Sequence, residues 1–277
     1  SEVCSSDLTA LGYDTKAEGQ WSTALGIDTT ASGSASTAMG STTQATGTGS
    51  TAMGGSTTAA GNWSLASGGW ANAKGDYSTA LGYYSMANAW NSFAVSGGIV
   101  EAAAENSIAM GKGAKASVSD AVALGSGSVA STEKGEIGYD ISGADHSNDT
   151  TGVWKSTANA VSVGKAATPT EAAVTRQITG VAAGTQDTDA VNVAQLKAVK
   201  AVADAAKVHY YSAKSKKTGA GSNYDNDGAK VDDSIVLGIS SSSDGVNSTV
   251  LGNNNKLTGD KNGRNNSIVA GQNLDVE

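Results

Sequence analysis

Phenylalanine, proline and cysteine each occur once in this 277-residue chain, and histidine twice. A single cysteine, Cys4, cannot close an internal disulfide, so no disulfide framework stiffens the fold; Cys4 stands as a free thiol or a crosslinking point. Aromatic residues make up 5% of the chain, and alanine is the largest contributor to the 39% hydrophobic fraction, which leaves little material for an ordinary globular core. No apolar run reaches the roughly 18 residues that a membrane helix needs, and no segment has the form of a signal peptide. The chain opens and closes inside a sequence pattern. It therefore reads as a segment of a longer protein, with any export signal or anchor outside it.

Basic residues are scarce too. Lys and Arg number 18 against 26 Asp and Glu, for a net charge of −8. Nucleic acid and anionic lipid both require clustered cations, so neither is expected as a partner. The one basic cluster, Lys214, Lys216 and Lys217, reads as a solvated turn. His146 and His209 have no Cys or His at metal-ligand spacing, and the acidic stretch with Asp140, Asp145 and Asp149 fits no EF-hand loop. There is no P-loop, no G-x-G-x-x-G between a strand and a helix, no nucleophile elbow and no G-G-x-G-x-D calcium repeat. No catalytic residue, cofactor or metal ion is expected.

What the chain does contain is a repeat. Ser22-Thr23-Ala24-Leu25-Gly26 returns as Ser36-Thr37-Ala38-Met39-Gly40, Ser50-Thr51-Ala52-Met53-Gly54, Ser64-Leu65-Ala66-Ser67-Gly68 and Ser78-Thr79-Ala80-Leu81-Gly82. The glycines fall at 12, 26, 40, 54, 68 and 82. Ser96 takes the next slot, one inserted residue shifts the register, and the pattern resumes at Gly111 and Gly125. A second glycine column, Gly19, Gly33, Gly47, Gly61 and Gly75, runs out of phase with the first. Each unit thus holds two short extended pieces closed by glycine turns. A unit this short cannot form a helix pair, but it can form one coil of a β-solenoid, stacked about 4.8 Å above its neighbour. Period-2 alternation places Leu25 and Thr23 on one face and Ala24 on the other. The Leu/Met column is expected to fill the coil, and the Ala24, Ala38, Ala52, Ala66, Ala80 column to let another backbone approach. So few bulky side chains leave a lone coil undersupported, which favours several chains packed together.

The pattern fades after Gly125. Residues 133–154 read as a loop or hairpin, and Asn159-Ala160-Val161-Ser162-Val163-Gly164 is one more repeat-like core. From Asp189 to about Lys207 the composition turns helical, with Asp187, Thr188 or Asp189 as caps and an apolar stripe of Val193, Leu196, Val199, Val202, Ala203 and Ala206. That stripe is too short for an independent coiled coil. Solenoid cores return at Ser234-Ile235-Val236-Leu237-Gly238, Ser248-Thr249-Val250-Leu251-Gly252 and Ser267-Ile268-Val269-Ala270-Gly271.

These residues resemble the trimeric autotransporter adhesins with YadA-like heads. The Ser-x-Ala-(Leu/Met/Ile)-Gly core is similar to that family's head repeat. The stretch from Arg176 to Leu196, with Arg-Gln-Ile-Thr-Gly-Val-Ala-Ala-Gly-Thr and Asp-Ala-Val-Asn-Val-Ala-Gln-Leu, looks like its neck. The chain departs from the family in three places: Thr replaces a bulkier Val in the first core position, Ser67 breaks the Leu/Met column, and Ser96 breaks the glycine column. The resemblance implies a mostly β fold of left-handed parallel β-roll heads in a homotrimer, joined by a neck and short trimeric coiled coil. On that plan, 1–132 is a head, 133–164 an insertion and last head coil, 165–189 the neck, 190–207 the stalk, 208–233 a connector and 234–277 the start of a second head. It also implies adhesion to host cells, matrix protein or glycan, or other bacteria, with an outer-membrane anchor through a C-terminal barrel absent from this chain.

Aromatic residues follow the repeat. Trp21, Trp63 and Tyr77 share one phase, Trp70 and Tyr84 a second, and Tyr13 and Tyr83 a third. Phase-locking is expected to stack the rings in columns, a candidate ligand-binding surface if the columns face outward. The plainer reading is that they cover turns or subunit seams. Alternatives to an adhesin are a spacer that projects binding regions located elsewhere, a Thr-rich ice-binding solenoid, and a glycan-cleaving β-helix. The irregular Thr rows and the few carboxylates disfavour the last two.

Overall fold

The computed structural model describes residues 7–205, 218–224, 226–259 and 266–277; Cys4, His209 and the Lys214, Lys216 and Lys217 cluster lie outside them. Two compact units are present, Ser1–Asn192 and Val193–Glu277.

The first unit is a parallel β-roll. Strands such as Thr9–Tyr13, Thr23–Ile27, Thr37–Ser41 and Thr51–Gly55 stack in a ten-stranded sheet that ends at Val161–Ser162. Two-residue strands, from Lys16–Ala17 to Val129–Ala130, stack in a nine-stranded sheet opposite. Every rung pairs a residue with its repeat equivalent: Ala24 with Ala38 and Ala38 with Ala52, Gly26 with Gly40 and Gly40 with Gly54. Amide-to-carbonyl bonds join successive coils, as from Thr23 to Ser36 (2.9 Å) and Gln44 to Thr57 (2.9 Å). The repeat length is the perimeter of one coil, so identical residues lie directly above one another and the chain's own period sets the register.

The faces are the reverse of the expectation from alternation. Ala24, Ala38, Ala52, Ala66 and Ala80 point into the roll and are fully buried, opposite Ala31, Ala45, Ala59 and Ala73. Leu25, Met39, Met53 and Leu81 lie half-buried on the outer face beside Thr23, Thr37, Thr51 and Thr79. The physical reason is space. Two strands joined by tight turns lie too close together for opposed leucines, and close packing admits alanine and serine, with Thr29, Thr43, Thr57 and Val100 the largest side chains accommodated. The glycine column obeys the same geometry. Gly26 and Gly40 have φ of +131° and +132°, and a Cβ on either would sit 1.9 Å from the carbonyl oxygen of the glycine one coil on.

The register shift near Ser96 has two parts. Leu81 and Met86 are separated by four residues, but Val95 and Ile99, one coil later, by three. The following connection, from Val100 to Ile108, has seven residues where Ala87 to Phe93 has five. The net insertion of one residue is a loss of one at one turn and a gain of two at the other.

Residues 131–160 leave the roll between Val129–Ala130 and Val161–Ser162, and Val161 pairs with Val122 to restore the long ladder. Beyond it, Lys165 and Val174 pair in an antiparallel bridge. Arg176 reaches back to the last coils, donating to Ser128 Oγ (3.0 Å), the Ser126 carbonyl (2.5 Å) and the Val163 carbonyl. Gly125 leaves room for it, since a Cβ there would lie 2.9 Å from the guanidinium carbon.

The second unit begins with a helix, α1, Val193–Ala205. The expected acidic caps do not cap it. Asp189 accepts from the Thr185 and Gln186 amides (2.8 and 3.0 Å), which closes a turn further back and holds its carboxyl below the usual range. Asn192, a favoured capping residue type, immediately precedes α1. A second, smaller roll follows, with two three-stranded parallel sheets. Its interior holds Val250, Leu257 and Val269 where the first roll holds alanines. The buried Asn255 is fully engaged: its Nδ2 donates to the Leu251 and Gly271 carbonyls, and its Oδ1 accepts from the Leu274 amide.

Candidate functional site

Both edges of the first roll are lined by turn residues in the left-handed region, because a coil this tight must reverse its direction with φ > 0. At one edge the sites are Trp21 (φ 58°), Ala35, Gly49, Trp63 (56°), Tyr77 (59°), Asn91, Asn106 and Asp120. At the other they include Asp14, Asp28, Thr42, Ser56, Trp70 (61°) and Tyr84 (57°). Gly, Asn and Asp adopt this conformation cheaply. A bulky aromatic does so at a cost of about 1–2 kcal/mol. Of the seven aromatic residues grouped by phase, Trp21, Trp63, Tyr77, Trp70 and Tyr84 occupy these strained positions and are more than half exposed, whereas Tyr13 and Tyr83 have ordinary negative φ.

Their rings are ordered by neighbours in the stack. Trp70 and Tyr84 stack at 6.0 Å and 11°. Tyr83 meets Tyr84 edge-on at 4.8 Å, and Tyr77 meets Trp90 edge-on at 6.2 Å. The Trp63 indole lies over Gly49, where a Cβ would fall 2.4 Å from the ring. The structure thus brings Trp70 and Tyr84 into direct ring contact. Trp21 is separated from Trp63 by Ala35 and Gly49 in its column. Trp90, Met86, Ile99 and Lys112 were not singled out from the sequence. Of the four, Met86, Ile99 and Lys112 join Tyr83 and Tyr84 around a cleft of about 690 Å³. The signal that points to it is the break of the glycine column at Ser96.

Two further apolar surfaces stand out among the described residues, each within its own unit. One is the outer face of the long ladder, with Leu25, Met39, Met53, Leu65, Leu81, Phe93 and Ile108. The other is α1, which buries no residue and exposes Val193, Leu196, Val199 and Val202.

The carboxylates of the insertion are engaged in local turns. Asp140 accepts from His146 Nε2 (2.8 Å) and from the Ser142 amide and hydroxyl, which hold its carboxyl down at about 2. Asp149 is likewise held at about 2 by the Thr151 hydroxyl and the Trp154 and Thr151 amides. Asp145 is lowered by the Ser147 amide and hydroxyl. His146 also stacks on Trp154 at 4.4 Å and 8°. Among the described residues, no three His, Cys, Asp or Glu side chains group to hold a metal ion, and no helix is long and apolar enough to cross a membrane.

The family model for the YadA head domain repeat matches residues 9–29, 17–43, 45–62, 60–85, 102–128 and 232–255; the model for the coiled stalk of trimeric autotransporter adhesin matches 177–233. Autotransporter adhesin BadA of Bartonella henselae is 54% identical over 68 residues, 24% of this chain. Trimeric autotransporter adhesin AtaA of Acinetobacter sp. (strain Tol 5) is 51% identical over 71 residues, 25% of this chain. The matched stretch spans 2% of the length of each of those two proteins. A solved structure, the collagen-binding domain of Yersinia adhesin YadA, aligns at 27% identity and a TM-score of 0.39, covering 68% of this chain and 86% of that one.

Proposed function

Since this chain belongs to the trimeric autotransporter adhesins, we propose that it is a multivalent attachment module: a homotrimer that presents its turn columns three times over to ligands on host cells, extracellular matrix or other bacteria. The observation that carries this reading is the pair of apolar surfaces that the described residues of each unit leave open. A 13-residue helix with no buried side chain is marginal alone in water, and its Val/Leu stripe asks for sister helices. The outer face of the long ladder, with its Leu and Met column, asks for the same partner, and a copy of this chain meets both needs at once. The turn edges then carry the exposed rings. Three copies of a weak site on one rigid body raise avidity well above single-site affinity. Anchorage at the outer membrane through a C-terminal barrel beyond this chain belongs to the same proposal.

Light scattering on the purified segment tests the assembly: three chains are expected, and a stable monomer overturns it. Attachment is tested by deleting residues 1–130 from the full-length protein on the cell surface. Loss of adhesion is expected. Unchanged adhesion would make this segment a spacer.

A further inference from the structure

The turn that breaks the repeat is where the first roll opens. The connection after Leu81 runs through Gly82, Tyr83, Tyr84 and Ser85, whereas the next has only Ser96, Gly97 and Gly98. The shorter turn draws back beneath the two tyrosines and leaves the cleft of about 690 Å³, within the range of small-molecule sites. One wall is aromatic and already oriented, since Tyr84 is held by Trp70 on one face and by the edge of Tyr83. Little ring entropy remains to be lost on binding. The Tyr84 backbone is strained at φ 57°, where Asn or Gly would be cheaper, so the ring is kept against a local cost. Met86 and Ile99 add apolar surface. Lys112 is the one charged residue of the lining, and among the described residues it makes no ion pair. On a chain of net charge −8, an unpaired cation beside an aromatic wall selects an anion that also has a flat apolar face.

We propose that this cleft binds an acidic sugar, a pyranose carrying a carboxylate, with its C–H face against Tyr83 and Tyr84 and its carboxylate toward Lys112. A pyranose matches the chemistry better than an acidic peptide does. Its axial C–H face suits a tyrosine ring, and its hydroxyl rim suits the Tyr and Ser96 hydroxyls and the glycine backbone around the opening. This inference rests on reading the aromatic columns as the ligand surface.

The test is saturation-transfer NMR on the assembled segment, with N-acetylneuraminic acid and glucuronic acid as probes and galactose and an acidic dipeptide as controls. Ring-proton saturation of the acidic sugars is expected. It should vanish in Tyr84→Asn, a residue suited to the left-handed backbone, and binding should weaken about tenfold in Lys112→Ala, close to 1.4 kcal/mol. Unchanged melting of both variants separates lost binding from lost fold. The proposal is overturned by absent saturation, as when a neighbouring copy fills the cleft. Equal saturation of galactose, equal binding of the dipeptide, or saturation that survives Tyr84→Asn overturns it as well. Each of these outcomes leaves the three-chain mass and the adhesion assay untouched, so the failure of this inference is distinguishable from the failure of the attachment role.

Discussion

Small side chains fill the interior of the first roll, mostly alanine and serine with Thr29, Thr43, Thr57 and Val100 the largest, and this decides what each residue does. Ala52 is fully buried between Ala38 and Ala66 in its column. Ala52→Leu should cost about 1–3 kcal/mol or more by overpacking, read from denaturant unfolding. Met53, its neighbour on the outer face, is expected to behave differently. Met53→Ala should leave the coil intact but weaken association between chains, seen as a lower mass at a given concentration in sedimentation. If the bulky column were inside after all, the two variants would exchange effects. The buried serines add a second case. Ser50 Oγ is sealed from solvent and has no hydrogen-bond partner among the described residues, whereas Ser128 Oγ donates to the Leu124 carbonyl and accepts from Arg176. Removing an unsatisfied buried hydroxyl recovers its desolvation cost. Ser50→Ala is therefore expected to stabilise by about 1 kcal/mol and Ser128→Ala to destabilise, both by thermal melting.

At the scale of elements, the ladder is repetitive and its interruptions are specific. Arg176 ties the chain beyond the roll to three groups of the last coils, so Arg176→Ala should lower the protection of the Val129 and Lys165 amides in hydrogen exchange while leaving coils near Ala52 unaffected. The insertion of residues 131–160 is held by its own Asp-centred turns. Its His146–Trp154 stack is anchored by Asp140, with Asp145, Asp149 and Lys155 the other charged groups nearby. The Asp140 and Asp149 carboxyls sit at about 2 against an ordinary 3.8. A depressed carboxyl contributes stability that is complete above its unfolded value and is lost as pH falls through the folded one. The Thr151 amide resonance, whose N–H donates to Asp149, should therefore hold its position as pH drops from 7 to 5, and shift between about pH 4 and 2 as that turn opens. A shift completed above pH 5 would contradict this assignment.

For the molecule as a whole, the two rolls solve the same problem with different interiors, alanine in the first and valine and leucine in the second. Among the described residues, α1 buries none of its own side chains. If folding and assembly are one process, the melting temperature of the segment must rise with protein concentration, as it does for any native state stabilised by mass action. Leu196→Asp, at the centre of the exposed stripe, should lower that temperature and reduce the three-chain mass. A concentration-independent melt would detach assembly from folding.

The sequence by itself determined the coil. A strict repeat with glycines at two phases leaves a parallel ladder in which every residue pairs with its own equivalent; only the column of Gly12, Gly26 and Gly40 takes φ > 0, the column of Gly19 and Gly33 does not, and the remaining φ > 0 turn sites fall on other residues such as Trp21, Ala35 and Thr42. The placement of aromatics at the roll's edges was legible in the same way, because phase along the repeat is position around the coil. Only the tertiary structure decided which face points in. Alternation marks two faces without ranking them, and the width of the coil, too small for Leu25 or Met39, puts alanine inside. The cleft beneath Tyr83 and Tyr84 was legible only as a place, the break of the glycine column at Ser96, and its opening was hidden. A net insertion of one residue conceals a loss of one at one edge and a gain of two at the other, and counting along the chain cannot separate terms that only the paired strands keep apart.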